Sequence, residues 1–319
     1  MLLRALSLDL LGATEAAALA ARGLAGRGDG PEADRRAVEA MRAAFSSAAL
    51  DGTVVIGEGE KDDAPMLFNG ESVGNGSPPA VDLAIDPLEG TRLLAETAPN
   101  SMAVIGAAES GAMWSPGPAF YIDKLAVCRE AASVIDIDAP PSDNLSWIAK
   151  ALGKNVRDLG VFVLDKPRHK ELIAQIHGAG ARVRLATDGD VLGALLAALP
   201  NTGVDVVMGV GGTPEAVITA CALKVLGAEM QCRLAPQRDD ERSRIEDAGI
   251  DTSEVLAVDD LVRGEEAVFV ATGITSGDLL DGVGEEGGQA TTSSLLMTSA
   301  DRRARFVRTL HDIHRMSES

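Results

Sequence analysis

Hydrophobic and polar positions along the chain change their period in a way that separates helices from strands. The N-terminal run MLLRALSLDLLGATEAAALAARG is rich in Leu and Ala, but Asp9 and Glu15 interrupt it and the pattern continues as an amphipathic helix. A second helix is expected over Ala33 to Phe45, where Ala33, Ala37, Ala40, Met41 and Ala44 fall at helical spacing. Apolar runs of strand length follow in GTVVIGEG, AVDLAID and NSMAVIGAAE. From about Asp158 the alternation becomes regular. GVFVLD precedes the helical RHKELIAQIHGAG, ARVRLAT precedes DVLGALLAALP, VDVVMGV precedes TPEAVITACALKVLGAE, and EEAVFVATGI comes last. Strands separated by helices of this length predict a mainly parallel sheet in the second half. The first half has fewer crossover helices and reads as α+β, so the fold class is α/β with a soft boundary near residue 157, dividing 1–157 from 158–319. The tract GVGEEGGQATTSS reads as a loop, and His311 and His314 as decoration on a basic C-terminal helix.

Composition narrows the classes of function. With 319 residues and 46% hydrophobic content, the chain can bury a proper core, and because aromatics make up only 3% that core is mostly aliphatic. A formal net charge of −19 argues against a general nucleic-acid binder, while a local basic pocket still leaves room for a small anionic substrate. Cys128, Cys221 and Cys232 form no CxxC pair and read as buried or incidental thiols. No run has the roughly 18 apolar residues that a membrane span requires. A soluble, cytoplasmic protein without membrane or nucleic-acid partners is expected.

Several strand ends deliver polar groups directly after an apolar run, which is where open α/β sheets place ligands. IGEGE exposes Glu58 and Glu60 between glycines. IDPLEGT exposes Asp86, Glu89 and Thr91, and TDGD carries Asp188 and Asp190 around Gly189. GVGGTPE opens a helix with Thr213 as N-cap, Pro214 in the first turn and Glu215 beside it. Each motif also reads as an ordinary turn: acidic Gly-rich loops are commonly solvated, and Glu215 suits a helix dipole. Their recurrence without a His or Cys cluster suits Mg2+ or Mn2+ better than zinc. Lys166, Arg168, His169 and Lys170 follow a strand as a basic loop, either a solvated turn or a phosphate clamp. Carboxylate-bound metal, a basic loop and exposed backbone amides together point to metal-dependent phosphate-ester chemistry with the substrate open.

DPLEGT resembles the Asp-Pro-(Ile/Leu)-(Asp/Glu)-Gly-(Thr/Ser) signature of the lithium-sensitive sugar and inositol phosphatase superfamily. With GRGD…AD, DGTVVIGEGEKDDAPML, KPRH, TDGDV, GGTPEAV and ATGITSGDLL in the same order, from about Leu6 to Leu296, the chain resembles class II fructose-1,6-bisphosphatases. The resemblance implies a sugar phosphatase fold of stacked sheet and helix layers, Mg2+ or Mn2+ as cofactor, and hydrolysis of the 1-phosphate of fructose 1,6-bisphosphate. It implies metal ligation by Asp34 and Glu58 at one position and by Asp86, Glu89 and Glu215 at a second, with Glu89 near the substrate. Among these, Asp86, Glu215 and Thr91 would be catalytic, Thr91 as the hydroxyl that orients the attacking water or as a helix cap. Gly90 and Thr91 would face the scissile phosphate, and Tyr121 would contact the sugar or its phosphate. Lys166, Pro167 and Arg168 would form a phosphate-binding loop. Asp188, Gly189 and Asp190 would meet the sugar hydroxyls, with Gly212 lining the pocket. A homo-oligomer, dimer or tetramer, is implied by family analogy alone. Sedoheptulose-1,7-bisphosphatase activity and a non-catalytic sugar-phosphate binder are the competing readings. The segment MQCRLAPQRDDERSR stands where the family often carries Asn-Gly-Arg.

Overall fold

The computed structural model describes residues 3–57 and 67–312. Glu58, Glu60 and His314 lie outside the described residues. In chain order the elements are α1 (Ser7–Ala21), α2 (Gly30–Phe45), β1 (Asp51–Ile56), β2 (Ser72–Val73), β3 (Ala80–Glu89), α3 (Thr91–Ala95), β4 (Met102–Glu109) and β5 (Tyr121–Val127). Then come α4 (Pro141–Ala151), β6 (Gly160–Leu164), α5 (Lys170–Gly178), β7 (Arg182–Ala186), α6 (Asp190–Ala198), β8 (Val206–Gly212), α7 (Thr213–Leu226) and β9 (Glu229–Leu234). The chain continues through α8 (Asp239–Asp247), α9 (Val258–Leu261), β10 (Ala267–Gly273), β11 (Gly284–Glu286), β12 (Gln289–Thr298) and β13 (Arg303–Asp312). The α/β class is as expected, with a multi-stranded sheet and helices in each of two units.

The units are Met1–Met113 with Gly264–Ser319, and Trp114–Arg263. The boundary expected near residue 157 falls inside the second unit, between α4 and β6. Strand pairing decides this: β5 pairs with β8 and β9, whereas β10 leaves the regular alternation and pairs with β4. Such long-range pairing is invisible to a local reading of periodicity.

In the first unit the described strands form a sheet of order β11-β12-β10-β4-β3-β1-β2, with β13 on β12. Only β1 and β3 pair in parallel, in keeping with an α+β arrangement. Leu83, Ile85, Ile105, Val268 and Val270 join Leu10, Ala17, Val38 and Met41 in one aliphatic core. Helix α1 is buried almost all round rather than amphipathic, and its small Ala side chains allow that fit. Polar groups that enter this interface pair with one another: Thr14 Oγ1 lies 2.8 Å from Thr272 Oγ1, which lies 2.8 Å from Ser294 Oγ. Helix α2 starts earlier than the apolar spacing indicated, because Asp29 accepts the Glu32 N–H at 3.1 Å and Pro31 occupies the first turn.

Two readings near the C-terminus are corrected. GVGEEGGQATTSS is a β-hairpin, β11 to β12, turned by Gly287 and Gly288 at φ 61° and 81°. Its strand character was hidden because the buried positions of β12 within that tract are Ala290, Thr292 and Ser294, and the large apolar residues Leu295–Met297 follow only after it. His311 is in strand β13, not a helix, with Nε2 at 2.9 Å from Thr292 Oγ1.

The second unit has a sheet of order β7-β6-β8-β5-β9. Pairing is parallel between β7, β6 and β8 and antiparallel where β5 inserts, so the expected parallel sheet holds for β6, β7 and β8 and not for β10. Leu125, Val127, Val161, Val163 and Met208 pack with Leu145 and Ile148 of α4 and Ile176 of α5. No described helix is long and apolar enough to cross a membrane.

Candidate active site residues

In the first unit, β3 carries Asp86 and Glu89. Asp86 does not end the strand, as the apolar run suggested: β3 continues to Glu89, with the β3–β4 register shifting between the two. That bulge follows from the sequence Asp-Pro, since Pro87 has no N–H for the ladder. Asp86 Oδ1 accepts the Leu88 N–H at 2.9 Å, closing a local turn. Ser101 Oγ donates to the Glu89 carbonyl at 3.2 Å. Gly90 then takes φ 81°, and a Cβ there would lie 2.9 Å from Leu93 Cδ1, so only glycine makes this corner without strain. Glu89 is 4% exposed and Asp86 half-buried.

Thr91 is the first residue of α3, whose N-cap is Gly90, so its hydroxyl does not cap the helix. Thr91 Oγ1 donates instead to the Leu88 carbonyl at 3.2 Å, which leaves the oxygen's lone pairs as acceptors. The first turn of α2 packs on the same residue: a Cβ on Gly30 would lie 2.9 Å from Thr91 Cγ2. Asp34, half-buried, sits on the helix that begins there. An Asp at the start of a helical pattern reads as a cap from sequence alone, yet here Asp29 fills that role.

In the second unit, Glu215 lies in the first turn of α7. The N-cap is Gly212, not Thr213, whose hydroxyl is fully buried inside the helix start. The Glu215 carboxylate folds back on Gly212 so closely that a Cβ there would meet Oε2 at 1.8 Å. Glycine at 212 is thus a condition for the carboxylate's position.

The basic loop is built differently from the solvated turn or open clamp its composition offered. Pro167–His169 form one 3-10 turn after β6. Arg168 Nε and Nη2 both donate to the Val210 carbonyl, at 3.1 and 2.7 Å, and its guanidinium carbon lies 5.3 Å from the centroid of the Tyr121 ring. One edge of the guanidinium is therefore committed to β8, and Nη1 takes no part in that pair of hydrogen bonds. His169 is not a surface cation: it is 3% exposed, with Nδ1 at 2.7 Å from the Leu164 carbonyl and Nε2 accepting the Val210 N–H at 2.8 Å. Burial lowers its pKa below the ordinary imidazole value, and the charges of Arg168 and Lys166 push the same way. Burial raises the carboxyl of neighbouring Asp123 above the usual carboxylate range.

Asp188 and Gly189 precede α6, with Gly189 at φ 89° and Asp188 half-buried. Asp190 is 8% exposed and ion-paired with Lys124 Nζ at 2.5 Å. No motif points to Lys124; its signal in the sequence is a lysine that, beside Asp123, interrupts the apolar strand YIDKLAV. Glu241 was likewise missed in the charged segment DDERSR: fully buried, it accepts the N–H groups of Phe120 and Tyr121 at 2.7 and 2.9 Å and so fixes the start of β5.

The carboxylates of Asp34, Asp86 and Glu89 in the first unit, and that of Glu215 in the second, are oxygen donors of the kind a hard divalent cation takes. The family described as bacterial fructose-1,6-bisphosphatase, glpX-encoded, matches residues 4–311. The class 2 fructose-1,6-bisphosphatase of Haemophilus influenzae is 42% identical over 321 aligned positions, covering 97% of this chain and 96% of the relative. Fructose-1,6-bisphosphatase 1 class 2 of Escherichia coli K12 is 41% identical over 325 positions, covering 98% and 96%. Similarity of that extent spans both units and every motif described above, and so the chain belongs to the bacterial, glpX-encoded fructose-1,6-bisphosphatase family and is a phosphatase of the hydrolase class.

Proposed function

We propose that the protein hydrolyses the 1-phosphate of fructose 1,6-bisphosphate, releasing fructose 6-phosphate and phosphate, with Mg2+ or Mn2+ as cofactor. The observation that carries this reading is the end-to-end similarity to two named class 2 fructose-1,6-bisphosphatases. The locally built corner at Asp86–Thr91 supports it. Asp34, Glu58, Asp86, Glu89 and Glu215 are the proposed ligands. Divalent ions at two positions, one held by Asp34 and Glu58 and the other by Asp86, Glu89 and Glu215, would neutralise phosphoryl charge and lower the pKa of bound water.

The chain's own groups then position and balance charge, which is most of what phosphoryl transfer asks of a protein. The Thr91 hydroxyl, already donating to Leu88, accepts a hydrogen from the attacking water and aims it; with a pKa far above neutrality it is not the base. Lys166 and the Nη1 side of Arg168 bind phosphate as point charge and partial fork. Asp188 is the carboxylate offered to sugar hydroxyls, because Lys124 already holds Asp190. Tyr121 contributes its ring beneath Arg168 and its edge to the sugar. The same resemblance supports a cytoplasmic enzyme of gluconeogenesis working as a dimer or tetramer.

The test is phosphate release from fructose and sedoheptulose bisphosphates, their monophosphates and inositol phosphate, with and without Mg2+ or Mn2+. The expected result is metal-dependent turnover with the highest kcat/KM on fructose 1,6-bisphosphate. Comparable kcat/KM across the panel, or binding without turnover, overturns the assignment.

A further inference from the structure

Strand β8 outlives its neighbour. It pairs with β6 only at Val206 and Val207, and β6 ends at Leu164, while on the other side β5 follows β8 as far as Gly212. The edge of β8 beyond Val207 therefore carries main-chain groups that no strand satisfies, and buried groups of that kind must find partners. Both polar groups of Val210 find them in the basic loop: its N–H donates to His169 Nε2 at 2.8 Å and its carbonyl accepts from Arg168 Nε and Nη2. Two adjacent side chains take the place of the missing strand.

This geometry leaves His169 one protonation state. Since Val210 N–H can only donate, Nε2 is bare, and Nδ1 carries the hydrogen that goes to the Leu164 carbonyl. An imidazolium would oppose one N–H to another. A second, independent feature shows how closely the ring is accommodated. Gly209 adopts φ 116°, and a Cβ there would lie 2.8 Å from His169 Nε2. The loop is also closed on itself, with the His169 N–H donating to the Lys166 carbonyl at 2.9 Å.

We propose that His169 is a positioning residue of the phosphate-binding loop: as the Nδ1–H tautomer, it bridges Leu164 to Val210 and thereby fixes Lys166 and Arg168 at the end of β8. This rests on the reading of Lys166–Arg168 as a phosphate site. His169 itself touches no substrate, since both ring nitrogens are engaged by main chain and the residue is 3% exposed. Its lowered pKa agrees with a neutral ring.

The experiment pairs His169→Asn, which keeps a donor for Leu164 but loses the acceptor for Val210, with His169→Gln, whose longer amide restores an acceptor. His169→Asn is expected to raise KM for fructose 1,6-bisphosphate roughly tenfold, the equivalent of one lost hydrogen bond, with a smaller change in kcat. His169→Gln recovers most of that loss. Long-range 15N–1H NMR on the wild-type protein is expected to show a protonated Nδ1 and an unprotonated Nε2 at neutral pH, whether or not the variants fold. An Nε2–H tautomer, or an unchanged KM in a folded His169→Asn protein, overturns the proposal. Wild type that hydrolyses no sugar bisphosphate sinks the functional reading instead, and leaves the NMR result to decide the geometry.

Discussion

The corner at Asp86–Thr91 and the loop at Lys166–Lys170 both end a strand in chemistry, yet they are held by opposite means. The acidic corner draws several of its hydrogen bonds from neighbours in sequence, Asp86 to the Leu88 N–H and Thr91 to the Leu88 carbonyl, with Gly90 in a left-handed turn and Ser101 on the Glu89 carbonyl. The basic loop is stabilised by residues far along the chain: Arg168 and His169 to Val210, and Arg168 on Tyr121. A carboxylate corner can be largely local because its backbone needs only a bulge and a glycine. Clustered cations repel one another, so their backbone has to be tied down by an outside framework. The two constructions should therefore fail differently.

The largest effect is expected where the second unit's framework itself is cut. Lys124→Met removes one partner of a buried pair and leaves Asp190 a buried charge, a loss of about 3–5 kcal/mol on breaking such pairs. Urea unfolding of the full chain checks it, and the acidic corner's metal affinity should change little before unfolding. Asp86→Asn sharpens the comparison from the other side. An asparagine oxygen still accepts the Leu88 N–H, so the corner survives, but the charge is gone. Because groups that merely orient ligands cost roughly 10–100-fold when removed, kcat/KM should fall by at least about 100-fold with Tm nearly unchanged. Loss of Tm instead would show that the charge serves the fold.

Gly90→Ala tests whether the acidic corner is as local as it looks. The left-handed turn and the 2.9 Å approach to Leu93 predict destabilisation of about 1–2 kcal/mol, seen in thermal melts, with the basic loop's phosphate affinity retained. Acid should loosen the basic loop. With its folded pKa below the ordinary value of 6.5, His169 stays neutral where the unfolded chain would bind a proton. Its contribution is thus complete above about pH 6.5 and is lost as pH falls through its depressed folded value. NMR titration should show no protonation of His169 above that pH. The charged groups facing it are Asp123 from β5 and Lys166 and Arg168 from its own loop, and Asp123→Asn should move the transition to still lower pH. The smallest effect is expected at Tyr121. Tyr121→Leu removes a cation–π contact worth about 0.5–1 kcal/mol and should raise KM about two- to fivefold, while Tyr121→Phe keeps the ring and most of the affinity.

The divide between what could be read along the chain and what could not follows the same physics. Periodicity identified α2, the strands β1, β3, β4 and β10 and the β6–α7 alternation, since each depends on which side of an element meets the core. Asp86, Glu89, Gly90 and Thr91 were recognisable as one corner, because the Asp-Pro bulge, the glycine turn and the returning hydroxyl act within a few residues of one another. Three matters needed the tertiary structure. The return of β10–β13 to the first sheet is a long-range pairing decision, and β12 disguised itself by burying Thr292 and Ser294 where large apolar residues would have announced a strand. His169 read as a fourth cation and proved to be a buried neutral bridge. Asp190, set beside Asp188 as a second sugar contact, opens α6 and is tied to Lys124 of β5. Local hydrogen bonds and hydrophobic period are encoded by spacing, so the sequence alone determined the fold class and the acidic corner. The state of a charged or titratable side chain depends on who surrounds it, and only the packed structure decided that.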